Sequence, residues 1–435
     1  MKNKLIKKGL AFLMGITTVA TGLCGCNNQN DENRVNDADD LLASVQKSDN
    51  APVYDFNDST TKPESYDTFI NNSSNLAVKM LKSEKYDTEN TAIAPLSVSV
   101  SLSALANGAN QNTLKELKTF LGNNSNSTDT FNQCSSYITQ RMSFFNNEES
   151  GVFNVNSVWV SDSYSPKRSF LQKYDNFYDS FVYKTDFSKE NTNLVMNNLL
   201  TDNSNSLIPD GGISIKDDYS LYLDCSMAIS DQWLKSYSDD AIKTGDFTTN
   251  ADSKTSVTYL TSVERSFKTD DAQGFIKDMK DVPCKLICIL PNENYSLKDY
   301  VNKLTGDKLL DMPYSISATD FAEVSIPEFS ISESKSLKNS LTQIGIDDIF
   351  STEADFSKGF ADDIFVNDLT QSVQIEINRN GICSSKSESN DKTPTTKVNN
   401  NIIFNRPFIY AVIDNESYAP IIIGTVNNPQ TSQTE

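Results

Sequence analysis

The sequence predicts a single large α+β domain. Helical patterns come first and strand patterns later, and no linker or internal repeat divides residues 66 to 428, so both kinds of element must share one core. At 435 residues, 37% of them hydrophobic, the chain is long enough to bury that core.

The first stretch, MKNKLIKKGLAFLMGITTVATGLCGC, stands apart from it. A Lys-rich start, an apolar run from Gly9 to about Leu23 and a small-residue cleavage region mark an export signal over residues 1–25. Leu23-Cys24-Gly25-Cys26 resembles the bacterial lipobox, which implies cleavage before Cys26 and a thioether-linked lipid on that sulfur. The alternative is an ordinary signal peptide or an uncleaved anchor, but the apolar span is short for a membrane helix. Residues 26–65 are rich in Asn, Asp and Ser with few large apolar residues, a composition that does not offset the entropy of ordering and so predicts a flexible tether. Residues 429–435 read as a C-terminal tail.

Beyond the tether, SSNLAVKMLKSEKY has helical spacing, and APLSVSVSLSALANGA begins a second helix after Pro95, with Ala, Leu and Ser at positions able to pack closely. NTLKELKTFLG is the clearest helix. Leu114, Leu117, Phe120 and Leu121 make one apolar face, Thr113 and Glu116 read as a capping box, and Gly122 stops it. VFNVNSVWV follows as a strand and PKRSFLQKYDNFY as a helix. Further strands are CKLICIL, FAEVSIPEFSIS, QSVQIEI, NRPFIYAVID and PIIIGTV, with helical patterns at SLKDYVNKLTG and SLKNSLTQIG.

Composition removes several function classes. The formal net charge of -20 repels phosphate backbones and anionic surfaces, so no nucleic-acid partner is expected and membrane association would come only through the lipid. The chain has no histidine, which removes His-based triads and the commonest zinc ligand. After Cys24 and Cys26 an odd set remains: Cys134, Cys225, Cys284, Cys288 and Cys383. Cys284 and Cys288 share one face of a strand but lie too far apart along it for an easy disulfide, so they read as core thiols. No Gly-rich phosphate loop, Walker pattern or clustered Cys supports a metal or organic cofactor, and acidic pairs such as Asp347-Asp348 and Asp362-Asp363 read as solvated turns.

One segment resists a purely local explanation. Between Gly381 and Asn401 almost every residue is Ser, Thr, Asn, Lys or an acid, far more chain than the roughly two to five residues a hairpin needs between two strands.

Taken in order, APLSVSVSLSALANGANQNTLKELKTFLG, FNVNSVWVSDSY, MNNLLTDNSNSLIPD, LYLDCSMAISDQW, CILPNENYSLKDYVNKLTGDKL, VSIPEFSISESKSLKNSLTQIGIDDIF and FNRPFIYAVIDNESYAPIIIGTVNNP resemble the serpins over nearly the whole chain after the tether. The resemblance implies helices packed on a large mixed β-sheet with further smaller sheets, and it makes residues about 381–401 the exposed reactive-centre loop. Such a loop is a bait that a protease attacks and that can insert into the large sheet as an extra strand. The resemblance implies that the protein is consumed rather than turning over, a protease inhibitor and not an enzyme, and a chain without histidine suits that role.

Carried over residue by residue, the resemblance makes Arg379, Gly381, Ile382, Cys383, Ser384, Ser385 and Lys386 the loop hinge. Counting forward from Gly381 puts the residue before the scissile bond at Thr395, counting back from NRPF puts it at Thr396, and Lys397 is the alternative. Thr suits elastase- or subtilisin-like proteases, Lys trypsin-like ones. The sheet-opening region falls at Ser97 and Ser99 beneath the sheet, Cys225 and Gln371 where the family carries an Asn and a His, and Trp233 near the top. The hinge departs from the inhibitory pattern: Arg379 replaces an acid, and serines and Lys386 replace alanines. Strand alternation puts Ile382, Ser384, Lys386 and Glu388 on the face that turns inward, and burying an unpaired charge costs several kcal/mol. The expectation is a monomeric suicide inhibitor of serine or cysteine endopeptidases, exported and lipid-anchored or released; a non-inhibitory surface binding protein or decoy is the alternative.

Overall fold

The computed structural model describes residues 38–57, 62–122, 127–209, 212–216, 218–385, 398 and 400–430. The strands are β1 (Ala38–Asp40), β2 (Thr91–Ile93), β3 (Gly151–Ser161), β4 (Phe181–Thr185), β5 (Leu221–Gln232), β6 (Ile242–Thr248), β7 (Lys254–Lys268) and β8 (Ala272–Asp278). They continue with β9 (Cys284–Pro291), β10 (Phe321–Pro327), β11 (Phe329–Ser336), β12 (Val366–Ile377), β13 (Gly381–Ile382), β14 (Asn401–Ile403), β15 (Phe408–Asp414) and β16 (Pro420–Val426). The helices are α1 (Tyr66–Ser83), α2 (Pro95–Ala106), α3 (Gln111–Leu121), α4 (Thr128–Phe144), α5 (Arg168–Phe177), α6 (Thr192–Asn203), α7 (Leu297–Lys303), α8 (Gly306–Asp311) and α9 (Lys338–Gln343).

One sheet has seven strands in the order β1-β4-β3-β5-β13-β12-β11, and the other has nine, running β14-β10-β7-β8-β9-β15-β16-β2 with β6 on β7. All twelve residues of β5 are buried, because helices cover one face and the chain around α6 covers the other. Its odd-numbered Leu221, Leu223, Cys225, Met227 and Ile229 join the main core, while Tyr222 and Ala228 join a smaller cluster with Trp159, Val195 and Leu200. Period-2 alternation thus feeds two cores from one strand. Helix α2 is buried along its whole length, and its serines and alanines let it lie close beneath the sheet.

Residues 38–57, read from composition as part of a tether, pack on the body instead. Strand β1 pairs antiparallel with the outer edge of β4, Ala38 opposite Thr185. The segment then crosses α5, where Asn176 Oδ1 accepts from Ser48 N at 2.8 Å, and reaches α4, where Gln140 Nε2 donates to Pro52 O at 2.9 Å. Tyr54 and Phe56 meet Tyr137 edge-on at 5.0 and 5.2 Å. Two edge-on contacts with Tyr137, a third between Phe56 and Phe144 at 5.4 Å and a paired backbone suffice to order a polar segment that has a finished surface to lie on. The remainder of that expected tether, apart from residues 62–65, lies outside the described residues.

Helix α3 forms as expected but without the capping box. Its N-cap is Asn110, Thr113 Oγ1 donates to Asp348, and Glu116 Oε1 accepts from the N–H groups of Asp347 and Asp348 at 3.0 and 3.1 Å. Both side chains are used to dock the 347–348 turn rather than to close their own helix. Cys284 and Cys288 are buried free thiols, as are Cys134 and Cys225, and no group of metal ligands occurs among the described residues.

Candidate functional site

The site is a seam between two strands of the seven-stranded sheet. Strands β5 and β12 run parallel and pair directly from Leu221 opposite Val366 to Ala228 opposite Gln374. Beyond that point they diverge, and the two residues of β13 lie between them. Gly381 and Ile382 pair with Gln232 and Asp231 of β5, and Ile382 pairs with Ile377 of β12.

The reversal that puts β13 there is built by one side chain. Asn378 Oδ1 accepts from Asn380 N at 2.9 Å and Gly381 N at 3.1 Å, while its Nδ2 donates to Ser384 O at 3.0 Å. An Asn that mimics backbone in this way fixes a tight turn. A Cβ on Gly381 would stand 2.0 Å from the Asp231 carbonyl oxygen, so only glycine lets the two backbones meet. Ile382 is wholly buried and Ser384 nearly so, whereas Cys383 is half-buried and Ser385 exposed. Ile382 and Ser384 thus share the buried side; Lys386 and Glu388, expected on the same face, lie outside the described residues. Cys383 sits in the left-handed region with φ 46°, and its N–H donates to Glu376 O at 2.9 Å. Burial pushes its thiol up to about 12, which keeps it protonated and unreactive.

Trp233 closes the top. Its indole Nε1 donates to Asn378 O and its backbone N–H to Asn380 O, both at 2.9 Å. The Lys277 ammonium, buried and paired with Glu264, lies 5.6 Å from the Trp233 ring and 4.3 Å from the Tyr237 ring. Arg379 pairs with the exposed Asp239.

Lower down, side chains stitch the strands. Gln371 on β12 donates from Nε2 to Cys225 O on β5 at 2.9 Å and to Ala94 O at 3.1 Å, and its Oε1 accepts from Ala94 N at 2.9 Å. Cys225 contributes its side chain as well, its thiol donating to Thr370 O of β12 at 3.3 Å while its sulfur lies 3.7 Å from the Gln371 amide. Beneath, on α2, Ser97 Oγ donates to Asn156 Oδ1 of β3 at 2.7 Å, and Ser99 Oγ accepts from Ser73 of α1 at 2.9 Å.

On the opposite face of the seam is a network that the sequence reading passed over. Thr370 of β12 donates to Asp224 Oδ1 of β5 at 3.1 Å and pairs with the Tyr222 hydroxyl. Ser226 also donates to Asp224 Oδ1, at 3.0 Å, and accepts from Ser372 N at 2.8 Å. The available signal was a carboxylate, followed two residues later by a serine, inside the mostly apolar run LYLDCSMAI. Cys26, Lys386, Thr395, Thr396 and Lys397 lie outside the described residues.

The large sheet thus takes in two residues of the chain that follows β12, between strands that pair directly lower down. The chain belongs to the serpin family: the family model described as serpin, serine protease inhibitor, matches residues 71–429. Serpin B4 of Homo sapiens is 22% identical over 375 residues, 79% of this chain and 95% of that protein. The crystal structure of tengpin, a thermophilic serpin, in its native state is 26% identical with a TM-score of 0.81, covering 90% of this chain and all of that one; in its latent state the TM-score is 0.71. Human thyroxine-binding globulin complexed with thyroxine shares the fold with a TM-score of 0.76 at 17% identity, over 84% of this chain and all of that one.

Proposed function

We propose that this serpin is a suicide inhibitor of serine endopeptidases that takes its cleaved loop into the seam between β5 and β12. The observation that carries the reading is β13, since Gly381 and Ile382 already make the two-sided pairing that a full inserted strand would continue downward. A target protease attacks the carbonyl carbon of the bait residue, expels the amine of the next residue and is left as an acyl ester on the loop. Insertion then carries the ester-linked protease away before water reaches the bond, driven by a native state held above its inserted form. Thr395 or Thr396 is the bait, favouring elastase- or subtilisin-like enzymes, with Lys397 the trypsin-like alternative. A lipid on Cys26 would hold the inhibitor at the exporting cell's surface.

A second reading has its own support. Ile382 and Ser384 are buried and Ser385 exposed, so a loop inserted as a strand continuing from them would turn Lys386 and Glu388 inward. A serpin that does not insert would carry those charges at no cost, and thyroxine-binding globulin, which binds thyroxine, has the same fold. Incubation with elastase-, subtilisin- and trypsin-like proteases separates the two. A complex that survives denaturing electrophoresis, cleavage after Thr395 or Thr396, and a large rise in melting temperature are expected. Clean cleavage with no complex and no thermal gain would establish the decoy or binding role.

A further inference from the structure

The seam holds a titratable group that neither its pairing nor loop insertion requires. Asp224 lies in the middle of β5, 1% exposed, on the face turned toward the segment that follows α6. It accepts from Thr370 across the seam and from Ser226 on its own strand, both at Oδ1. The chain of bonds runs on from Ser226 to the Ser372 amide, from the Ser372 hydroxyl to Ser334 on β11 at 2.8 Å, and from Ser334 to Gly212 O at 2.6 Å. Asp224 is thus the acceptor in which stitches between β5 and β12 terminate.

No cation balances it among the described residues. The residue opposite on β3 is Ser157. From β12 the charged neighbour is Asp368, also an acid; from β5 the titratable neighbour is the Tyr222 phenol, held neutral by burial and by Asp224. The segment after α6 presents Tyr219, whose phenol is raised by burial and by Asp368 and Asp218, together with exposed Lys216. On the reverse face the Cys225 thiol is held neutral by burial, with Asp224 adding to the effect.

We propose that Asp224 is a proton-operated latch on the β5–β12 seam. With a proton on Oδ2, Oδ1 still accepts from Thr370 and Ser226, so the strands stay stitched without an enclosed charge. Ionised, the same carboxylate is a buried, unpaired charge that only separation of the strands can hydrate. The proton returns to solvent as the seam opens. Burial outweighs the bonds from Ser226 and Thr370 and raises this carboxyl to about 7, so the switch falls in an accessible range.

The sign follows. A carboxyl raised in the closed seam favours closure while it is protonated, and that preference is lost as pH rises from the ordinary carboxylate range through about 7. Opening becomes easier by up to about tenfold per pH unit below 7 and levels off above it.

Deuterium exchange of the β5 and β12 amides tests this directly, expressed as protection factors so that the intrinsic pH dependence of exchange divides out. Between about pH 5 and 7, wild-type protection at the seam should fall up to tenfold per unit, while amides of the β9–β15 pair keep theirs. Asp224→Asn should abolish the slope. Thr370→Val removes a bond that lowers the carboxyl and should carry the slope to higher pH, a second readout if the Asn variant folds poorly. A flat wild-type profile, or an Asp224→Asn profile as steep as wild type, would overturn the latch. The measurement needs only that the seam opens, so failure to trap any protease would bear on the inhibitory reading and leave this result standing.

Discussion

The two halves of the seam are held in different ways. In the upper half, from Asp231 to Gln232 on β5 and at Ile377 on β12, backbone from the loop fills the gap, and its fit depends on conformation: an Asn turn, a glycine and a left-handed Cys383. In the lower half, from Leu221 to Ala228, the strands touch, and buried polar side chains on both faces stitch them. The upper half is a strand addition begun and stopped. The lower half is closed by direct pairing, so on the proposed reading shape would govern where insertion starts and hydrogen bonding how far it proceeds.

That contrast can be broken most strongly from below. Gln371→Ala leaves the Ala94 N–H unpaired, takes one donor each from the Ala94 and Cys225 carbonyls and opens a cavity, a loss of about 3–4 kcal/mol. Thermal melting should register it, with faster conversion to the heat-stable inserted form. If the melting point is unchanged, the stitches do not resist insertion.

The upper half is attacked next by Gly381→Val. Its side chain cannot share space with the Asp231 carbonyl, so β13 should leave the sheet and Ile382 should lose its burial, about 2–3 kcal/mol of docking. Limited proteolysis at the hinge should become faster, while Gln371 and its partners keep their exchange protection. Loss of protection along the whole seam would mean that the halves are one unit.

The smallest effect is expected at Arg379→Ala. Its pairing with Asp239 is exposed and contributes at most about 1 kcal/mol, screened further by salt. A fall in melting temperature of more than a few degrees would show that the hinge depends on this charge rather than on the Asn378 turn.

Much of this was legible beforehand. Gln371 was read as a residue still able to bond across the strands, because an amide both donates and accepts, and it does so at Cys225 and Ala94. Trp233 was placed near the top, where it caps the Asn378 turn. The misreadings share a cause. Thr113 and Glu116 have capping-box spacing, but their partners come from residues 347 and 348, some 230 positions away. Tyr54 and Phe56 look isolated in a polar stretch until α4 supplies Tyr137. Asp224 drew no reading from the sequence, and only the parallel neighbour Thr370 and the burial of β5 reveal that it is enclosed. Local pattern predicts elements; it does not report what a distant segment brings to them.

Strand β1 has a consequence for how this molecule meets its own kind. A sheet that accepts a strand from its own loop could accept one from a neighbour, and a bare outer edge would be a second place to add. Here β4 is already covered by three residues, two of them the exposed acids Asp39 and Asp40. A copy arriving at that margin finds a short strip of like charge, so chain-to-chain growth of the sheet is discouraged on that side and the self-complementary chemistry is kept for the seam.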